Sequence, residues 1–444
     1  MKRLDDFGHE LTRLPSLGCD RGVVREDRVE VVAEPGYGRV LRSLVSVRKG
    51  DVLFHEQPLV VSQVPASKEE EGDLLQLSDT SGLNLINDFV FIKSFCMSDV
   101  DTRLKVLDCY HPSPLEIQAS GLLSRIVSVA EVCKKYDWSS AIPLDTLRKV
   151  VLVKACNAHG FYSSNSSAAA LYTFGSKMRH SCCPNMVYTS QRREGFGSFV
   201  ARRDIEAGEE LFITYIDNCR SVPMRNKDLR ENYLFSCDCR LCRVETDTFR
   251  GIFCSVRGCG GTVYRTQSTA IWTCDACNST FTDATTVISP EDEDEFVKDA
   301  TEFMQSFKVN ISSMLRDMLT ASHFRVGENH AITRMLQREY ISRFLLERSV
   351  TNVVALDELI RTTDSILRWT KDDPSFLDSL LVEIGCAVAR AGDFEKAVRY
   401  LTIVKEDMEL LFGSDKWTSE PLALVKTALV ACYRGDAESV PNLF

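Results

Sequence analysis

The sequence predicts an α+β protein in which a β-rich domain, interrupted by a helical insert, precedes a cysteine-rich segment and an all-α C-terminal domain. Three observations lead to this prediction. Short apolar runs separated by tight turns occupy residues 28–62 and 153–236, helical apolar spacing fills residues 63–152 and 290–444, and cysteines concentrate in residues 237–285. A chain of 444 residues is also long enough for about three domains.

Sequence patterns typical of short β-strands occur near the N-terminus and again after the helical insert. Arg28 to Val60 is rich in valine, leucine and phenylalanine, with turns at Pro35 to Gly38 and at Lys49 to Asp51. From Ala66 to Ser128 the apolar spacing becomes helical. Leu171 to Asp217 again predicts short strands and turns, so one β-rich domain encloses the insert.

The C-terminal region is predicted to be helical throughout. An acidic run, Glu291 to Glu295, precedes it, and this run suits a solvated linker or a surface that attracts a basic substrate. The clearest helix starts after Gly392-Asp393, with an apolar stripe formed by Phe394, Ala397, Val398, Leu401, Met408 and Leu411. Ala391 to Ala397 resembles part of a tetratricopeptide (TPR) unit, which predicts TPR-like stacked helix pairs.

Composition and charge narrow the possible functions. The net charge of −10 disfavours binding to nucleic acid phosphates and favours basic ligands such as lysine-rich peptides, although solubility alone would explain it. Met1 to Leu14 lacks the apolar core of a signal peptide, and no apolar run reaches the length of about 18 residues that a membrane span needs. Seventeen cysteines in such a chain predict a reducing compartment, cytoplasmic, nuclear or both.

The first cysteine group has the spacing of metal ligands. Cys237, Cys239 and Cys242 form C-x-C-x-x-C, which supplies three thiolates. Tetrahedral zinc needs four ligands, so the fourth must come from elsewhere in the fold. Cys182 is the candidate, and spacing leaves Cys183 and His180 as alternatives.

The second cysteine group supplies all four ligands by itself. Its members are Cys254, Cys259, Cys274 and Cys277. Four residues separate the first pair and two separate the last pair, and nearby glycines provide tight turns, as in a zinc ribbon. Four thiolates leave no position for a reactive water, so both groups predict structural zinc. The alternative is that these cysteines are buried or redox-active thiols.

Four motifs in order resemble a SET domain. They are Gly36-Tyr37-Gly38 near the start, Arg179 to Asn185 (similar to the signature N-H-S-C-x-P-N), Gly208 to Tyr215 (similar to G-E-E-L…Y), and the post-SET cysteines Cys237 to Cys242. By this resemblance, residues 28–62 and 153–236 are the two parts of the SET domain, and 237–285 are the post-SET segment and ribbon. The layout resembles the SET-and-MYND (SMYD) branch, but the insert has too few cysteines for a MYND zinc finger.

The resemblance implies a protein-lysine N-methyltransferase that moves a methyl group from S-adenosylmethionine to a lysine of a histone or another protein. It implies that Tyr215 is the catalytic residue. It also implies these cofactor contacts: Gly36, Tyr37, Gly38, Asn157, Ser176, Arg179, His180, Tyr233 and Phe235. From the resemblance together with the cysteine spacing, we expect Cys182, Cys237, Cys239 and Cys242 to bind one zinc ion and the ribbon cysteines to bind the second.

Two positions depart from the family pattern. Arg179 stands where the signature has asparagine, and an arginine there could pair with the methionine carboxylate or stack. His159 stands where related sequences often have an aromatic residue, so it could shape the lysine channel or face solvent. The alternatives to an enzyme are a catalytically inactive SET-derived scaffold and nucleic-acid binding by the ribbon. The ribbon has too few arginines for the latter.

Overall fold

The computed structural model describes residues 25–35, 38–63, 66–81, 85–119, 126–163, 166–193, 195–305, 311–349, 352–371, 376–377, 379–413 and 420–443. These residues divide into two compact units. Unit 1 lies within Met1–Tyr215 and Lys227–Cys237, and unit 2 lies within Ile216–Asn226 and Asp238–Phe444. Among the described residues, no helix combines the length and apolarity that crossing a membrane requires.

Unit 1 contains several small sheets. Its strands are β1 Arg25–Glu26, β2 Val29–Glu34, β3 Gly38–Ser43, β4 Val52–Glu56, β5 Val60–Val61, β6 His159–Ser163, β7 Ser166–Leu171, β8 Arg179–His180, β9 Met186–Thr189, β10 Gly197–Ala201 and β11 Phe212–Ile213. The antiparallel sheets have the orders β1-β2-β3, β4-β10-β9 and β5-β7-β6. Strands β8 and β11 pair in parallel, which places Arg179 beside Phe212 and His180 beside Ile213.

The insert between the two β-rich parts of unit 1 is helical, as the apolar spacing predicts. Its helices are α1 Lys68–Ser81, α2 Ile86–Met97, α3 Val100–Leu107, α4 Pro114–Ala119, α5 Val129–Cys133 and α6 Leu144–Asn157. They share one apolar core, in which Phe89, Phe91 and Ile92 of α2 are buried. Helix α6 ends at Asn157, and the chain enters β6 at His159, so the end of this helix sets the position of both residues.

A second core of unit 1 lies under the strands. Leu41, Leu53 and Phe199 are buried there, and the rings of Phe54 and Phe199 stack with centroids 4.5 Å apart. Side chains alternate between the two faces of a strand, so every second residue of β10 faces this core, although all five residues of β10 are buried. The core holds the strands that carry the SET-like motifs.

Unit 2 combines a small antiparallel sheet with helices. Its strands, in the order β12-β13-β14-β15, are β12 Ile252–Phe253, β13 Thr262–Arg265, β14 Trp272–Cys274 and β15 Thr280–Phe281. Helix α7, Val222–Tyr233, precedes the sheet in the chain; its residues 222–226 belong to unit 2 and its residues 227–233 to unit 1. The later helices are α8 Pro290–Gln305, α9 Ile311–Arg325, α10 Ala331–Tyr340, α11 Leu346–Ser349, α12 Val353–Thr370, α13 Leu380–Arg390, α14 Phe394–Phe412 and α15 Glu420–Arg434. A π-helical turn, Ile341–Leu345, joins α10 to α11.

Helix α14 begins where the sequence predicts. The carboxylate of Asp393 caps it by accepting a hydrogen bond from the backbone N–H of Lys396. Gly385 of α13 faces it, and a Cβ at that position would lie 2.7 Å from the side chain of Leu401. A glycine therefore allows α13 and α14 to approach closely. The C-terminal helical region is confirmed, whereas its likeness to TPR units stays a prediction.

The acidic run at the start of the helical region is not a linker. Glu291, Asp292 and Glu293 form the first turn of α8, where negative charge is favourable near the positive end of the helix dipole. Glu293 is only 4% exposed and accepts two hydrogen bonds from Arg250, at 2.8 and 2.7 Å. Its Oε1 also lies 3.1 Å from Nε2 of the buried His330. This carboxylate therefore joins the ribbon to the helices of unit 2.

Candidate active site

Tyr215 is held at both its backbone and its hydroxyl. It follows β11, and its backbone N–H donates to Nδ1 of His180 at 3.0 Å. Its hydroxyl donates to the backbone carbonyl of Met178 at 2.6 Å. Burial raises the pKa of Tyr215, so the side chain is a protonated phenol at neutral pH. Because the proton is directed at a carbonyl, the phenol oxygen keeps lone pairs that can accept from another group.

Aromatic rings surround Tyr215. The ring centroid of Tyr233 lies 5.0 Å from that of Tyr215, and the ring of Phe235 lies 6.4 Å away. The Tyr233 hydroxyl donates weakly to the backbone carbonyl of Tyr215, at 3.5 Å, and burial raises its pKa as well. The group therefore forms a neutral, aromatic wall.

A cavity of about 290 Å³ opens beside this wall, inside unit 1. It is lined by Cys156, Asn157, Ala158, His159, Gly160, Gly175, Ser176, Met186, Val187, Tyr188, Arg202, Ile213, Thr214, Tyr215 and Tyr233. The fold thus brings together five residues singled out from the sequence: Asn157, His159, Ser176, Tyr215 and Tyr233. Other candidates, namely Gly38, Arg179, His180 and Phe235, are not among its lining residues. Gly36 and Tyr37 lie outside the described residues.

Hydrogen bonds fix the polar lining residues. The side-chain amide of Asn157 donates to the carbonyls of Tyr110 and Val153, both at 2.7 Å. Ser176 Oγ donates to the carbonyl of Thr173 at 3.1 Å. These bonds orient the two side chains without help from a ligand.

Glu56 holds the loop that carries Ser176. Its buried carboxylate accepts from the backbone N–H of Phe174, at 2.9 Å, and from that of Gly175, at 3.0 Å. Gly175 is required there because a Cβ would lie 2.6 Å from the ring of Phe199. This role of Glu56 was not expected from the sequence. The signal that could have indicated it is an acidic residue at the end of the apolar strand β4.

His159 has its ring against the cavity, not in solvent. The ring lies 4.6 Å from that of Tyr188 and 5.6 Å from that of Tyr172. Both ring nitrogens are buried and lack a hydrogen-bond partner with good geometry among the described residues. Burial lowers the pKa of His159 to about 4, although the nearby backbone of Asn157 acts in the opposite direction. The imidazole is therefore neutral at physiological pH.

Arg179 is paired inside the protein. Its guanidinium donates through Nε and Nη2 to both carboxylate oxygens of Glu210, at 2.5 and 2.8 Å, and lies 5.4 Å from the ring centre of Phe212. The parallel pairing of β8 with β11 brings these side chains together. The positive charge is thereby largely neutralised, and a cofactor contact by Arg179 stays a prediction.

The cysteines form two groups of four whose sulfur atoms lie within 4.8 Å of one another. The first contains Cys182, Cys237, Cys239 and Cys242, and the second contains Cys254, Cys259, Cys274 and Cys277. Cys183, the alternative fourth ligand, is not in the first group, and His180 instead places Nε2 3.2 Å from the Cys182 sulfur.

The sulfur spacing fits tetrahedral zinc. Zn–S bonds of about 2.3 Å put neighbouring sulfurs about 3.8 Å apart. In the second group, Cys254 and Cys277 are 3.8 Å apart, and Cys259 and Cys274 are 3.6 Å apart. In the first group, the fully buried guanidinium of Arg225 lies 3.6 Å from the Cys242 sulfur. Its positive charge offsets the negative charge of the thiolates. Both groups could hold zinc.

Comparison with protein families finds a SET domain in this chain. The SET domain family matches residues 38–216. This range contains Tyr215, Arg179 and most of the residues that line the cavity.

The relatives of this domain are lysine methyltransferases. The chain is 43% identical over 86 residues to "Protein-lysine N-trimethyltransferase SMYD5" of Gallus gallus, a match that covers 19% of this chain and 20% of that protein. It is 40% identical over 96 residues to "Histone-lysine N-methyltransferase set5" of Schizosaccharomyces pombe, covering 21% and 30% of the two chains. It is 35% identical over 105 residues to "N-lysine methyltransferase SMYD2" of Gallus gallus, covering 23% and 24%. The matches thus span less than a third of each relative.

A solved SET domain to which the chain is similar has low sequence identity to it. The SET domain of LSMT bound to lysine and AdoHcy is 13% identical, with coverage of 98% of this chain and 89% of that chain and a TM-score of 0.34. The chain therefore contains a SET domain whose matched relatives are SMYD5, SMYD2 and set5 proteins.

Among the cavity residues that were not expected from the sequence, three have ionisable side chains: Cys156, Tyr188 and Arg202. Cys156 and Tyr188 had signals that could have indicated them. Cys156 directly precedes Asn157, and Tyr188 lies in the strand that follows the Arg179 to Asn185 motif. Arg202 is brought in by the pairing of β9 with β10, which local sequence does not indicate.

Proposed function

We propose that this protein is a protein-lysine N-methyltransferase that uses S-adenosylmethionine and acts on a lysine-containing protein. The observation that carries the proposal is the half-buried phenol of Tyr215, whose oxygen is oriented by Met178 at the edge of an aromatic-lined cavity within a SET domain. When bound, S-adenosylmethionine supplies an electrophilic methyl group.

The remaining chemistry is alignment and control of charge. A free lysine has a pKa of about 10.4, so presenting it as a neutral amine at pH 7 costs roughly 4–5 kcal/mol. A cavity lined by neutral aromatic groups, including the neutral His159, disfavours the ammonium form and lowers that cost. No general base among the lining residues is needed if the amine loses its proton to water before it is enclosed.

Tyr215 would orient the acceptor. Its hydroxyl proton is committed to Met178, so its oxygen can accept an N–H of the amine or a polarised C–H of the methyl group. Holding the two reacting groups in line is the main contribution that such a site can make. Tyr233 and Phe235 would restrict the amine sideways through the rings packed on Tyr215.

The cofactor would be held by Asn157, Ser176 and Tyr233 from the cavity and by Gly38 with Gly36 and Tyr37. Gly38 has φ +77°, a conformation that favours glycine and lets a backbone come close to a ligand. Both ring nitrogens of His180 are engaged within the protein, so a cofactor contact by His180 would use its main chain.

Two zinc ions would have structural roles. Four thiolates fill the coordination of each metal, so neither would take part in the reaction. The cysteines of the described residues are free thiols, which suits zinc binding in a reducing compartment, and we therefore propose the cytosol, the nucleus or both.

Calorimetry with S-adenosylmethionine tests this function. Zinc-replete protein should bind the cofactor, and Tyr215→Phe should bind it comparably because the phenol acts on the acceptor. If the natural protein does not bind, but Arg179→Asn combined with Glu210→Gln does, the SET domain is an inactive scaffold. The paired change is needed because Arg179→Asn alone would leave the Glu210 carboxylate without its bidentate partner.

A further inference from the structure

Both nitrogens of the His180 ring are used, and they face two different parts of unit 1. Nδ1 accepts the backbone N–H of Tyr215 at 3.0 Å, so Nδ1 carries a lone pair and the ring proton is on Nε2. Nε2 lies 3.2 Å from the sulfur of Cys182 and therefore donates to it. His180 is buried, which shields both bonds from water.

The Cys182 sulfur is a candidate metal ligand, which makes this contact more than packing. It belongs to the first group of four cysteines. A thiolate held by zinc accepts hydrogen bonds, and donors to such ligands fix their orientation. The donor here is the same ring that accepts from Tyr215.

Tyr215 depends on the β8 segment at both of its polar ends. Its N–H bonds to His180, and its hydroxyl bonds to the carbonyl of Met178, two residues earlier. A small rotation of the His180 ring would release the backbone of Tyr215 while its hydroxyl stayed bound. The position of the phenol in the cavity would then be set by one contact instead of two.

We infer that His180 is a positioning residue that couples the Cys182 sulfur to the backbone of Tyr215, so that metal loading at Cys182 fixes the phenol in the cavity. The inference rests on the proposed function for its effect on catalysis. The structural coupling between the Cys182 sulfur and the Tyr215 backbone does not depend on any substrate.

The ring also packs against aromatic residues, and this offers a purely structural explanation. The ring centroids of Tyr215 and Phe235 lie 5.3 and 6.0 Å from that of His180. Packing alone would be preserved by His180→Phe, which retains a ring of similar size. Coupling would be lost in that variant because phenylalanine offers neither a donor nor an acceptor.

Two further variants separate the two bonds. In His180→Asn the side-chain oxygen can occupy the place of Nδ1 and accept from Tyr215, but the donor to Cys182 is lost. In His180→Gln the side-chain amide can reach the place of Nε2 and donate to Cys182, but the acceptor for Tyr215 is lost. Each variant thus keeps one of the two hydrogen bonds of the His180 ring.

The first readout is zinc release to a colorimetric chelator. The ribbon cysteines serve as an internal reference within the same molecule. His180→Phe and His180→Asn should release the zinc of the Cys182 group roughly 10- to 100-fold faster than the natural protein, and His180→Gln should stay close to it. The ribbon zinc should leave at an unchanged rate in all three.

The second readout is the amide resonance of Tyr215 in protein labelled with ¹⁵N-tyrosine, assigned by comparison with Tyr215→Phe. Removing zinc from the Cys182 group should shift this resonance in the natural protein and leave it unmoved in His180→Phe. The kcat for methyl transfer should fall in all three variants, with little change in KM.

The inference is overturned if His180→Phe keeps the natural zinc-release rate, or if zinc removal leaves the Tyr215 amide in place in the natural protein. Failure of the proposed function would look different. In that case no variant transfers methyl groups, while zinc release and the amide resonance still respond as described.

Discussion

Replacing Glu56 by glutamine should loosen the loop that carries Ser176 into the cavity. The carboxylate now accepts the N–H groups of Phe174 and Gly175, with N–O distances of 2.9, 3.2 and 3.0 Å. An amide offers one acceptor oxygen, and its NH₂ group would face a backbone donor. Hydrogen bonds to a charged group each contribute about 1.5–3 kcal/mol, so Glu56→Gln should destabilise unit 1 by about 2–4 kcal/mol.

Thermal unfolding measures this effect. For a unit of roughly 200 residues, each kcal/mol lowers Tm by about 2–4 °C, so the transition of unit 1 should fall by about 5–15 °C. Glu131→Gln is the matched control because Glu131 forms an exposed ion pair with Arg148, worth less than about 1 kcal/mol. A Glu56→Gln protein that unfolds at the same temperature as this control would refute the argument that the carboxylate holds the loop.

Three other changes have defined outcomes. Cys182→Ser should lower the zinc content by one ion per chain, whereas Cys183→Ser should leave it unchanged, because only Cys182 lies in the four-sulfur group. Metal analysis measures both contents, and equal zinc contents in the two variants would contradict this ligand set. His159→Phe should be neutral or stabilising by about 1 kcal/mol in denaturant unfolding, because it removes two buried nitrogens that have no hydrogen-bond partner among the described residues. A clear loss of stability would show that the ring has such a partner. Burial raises the pKa of Glu293, whereas the hydrogen bonds with His330 and Arg250 lower it, and the net result is a pKa lowered to about 2. The ionised Glu293 therefore contributes its full stabilisation above its ordinary pKa of 4.5, and this stabilisation is lost as the pH falls towards 2. In Glu293→Gln, the free energy of unfolding should change less with pH over this range.

The sequence could predict features that depend on local spacing. Cysteine spacing indicated the whole second group and three members of the first, because these ligands are close along the chain. It left the fourth ligand of the first group open between Cys182, Cys183 and His180. The order of the SET-like motifs indicated the fold, and the Asp393 cap with the stripe that follows indicated α14. These are consequences of short-range geometry.

Features that depend on tertiary pairing could not be predicted. Arg179 meets Glu210 only because two short strands 31 residues apart pair in parallel. From the sequence alone, Glu293 is expected to be solvent-exposed like its acidic neighbours, but its burial depends on contacts with Arg250 and His330. Charge patterns along a chain do not reveal which member of a run turns inward. The proposed domain boundaries and the roles of the site residues stay predictions.

Methyl transfer by the purified, zinc-replete protein tests the central claim most directly. S-adenosylmethionine carrying a labelled methyl group would be incubated with core histones and a lysine-containing peptide library, and the products would be mapped by mass spectrometry. The account predicts label on lysine side chains, reduced roughly 10- to 100-fold by Tyr215→Phe while cofactor binding is retained. Cofactor binding without transfer to any lysine, or full activity of Tyr215→Phe, would contradict it.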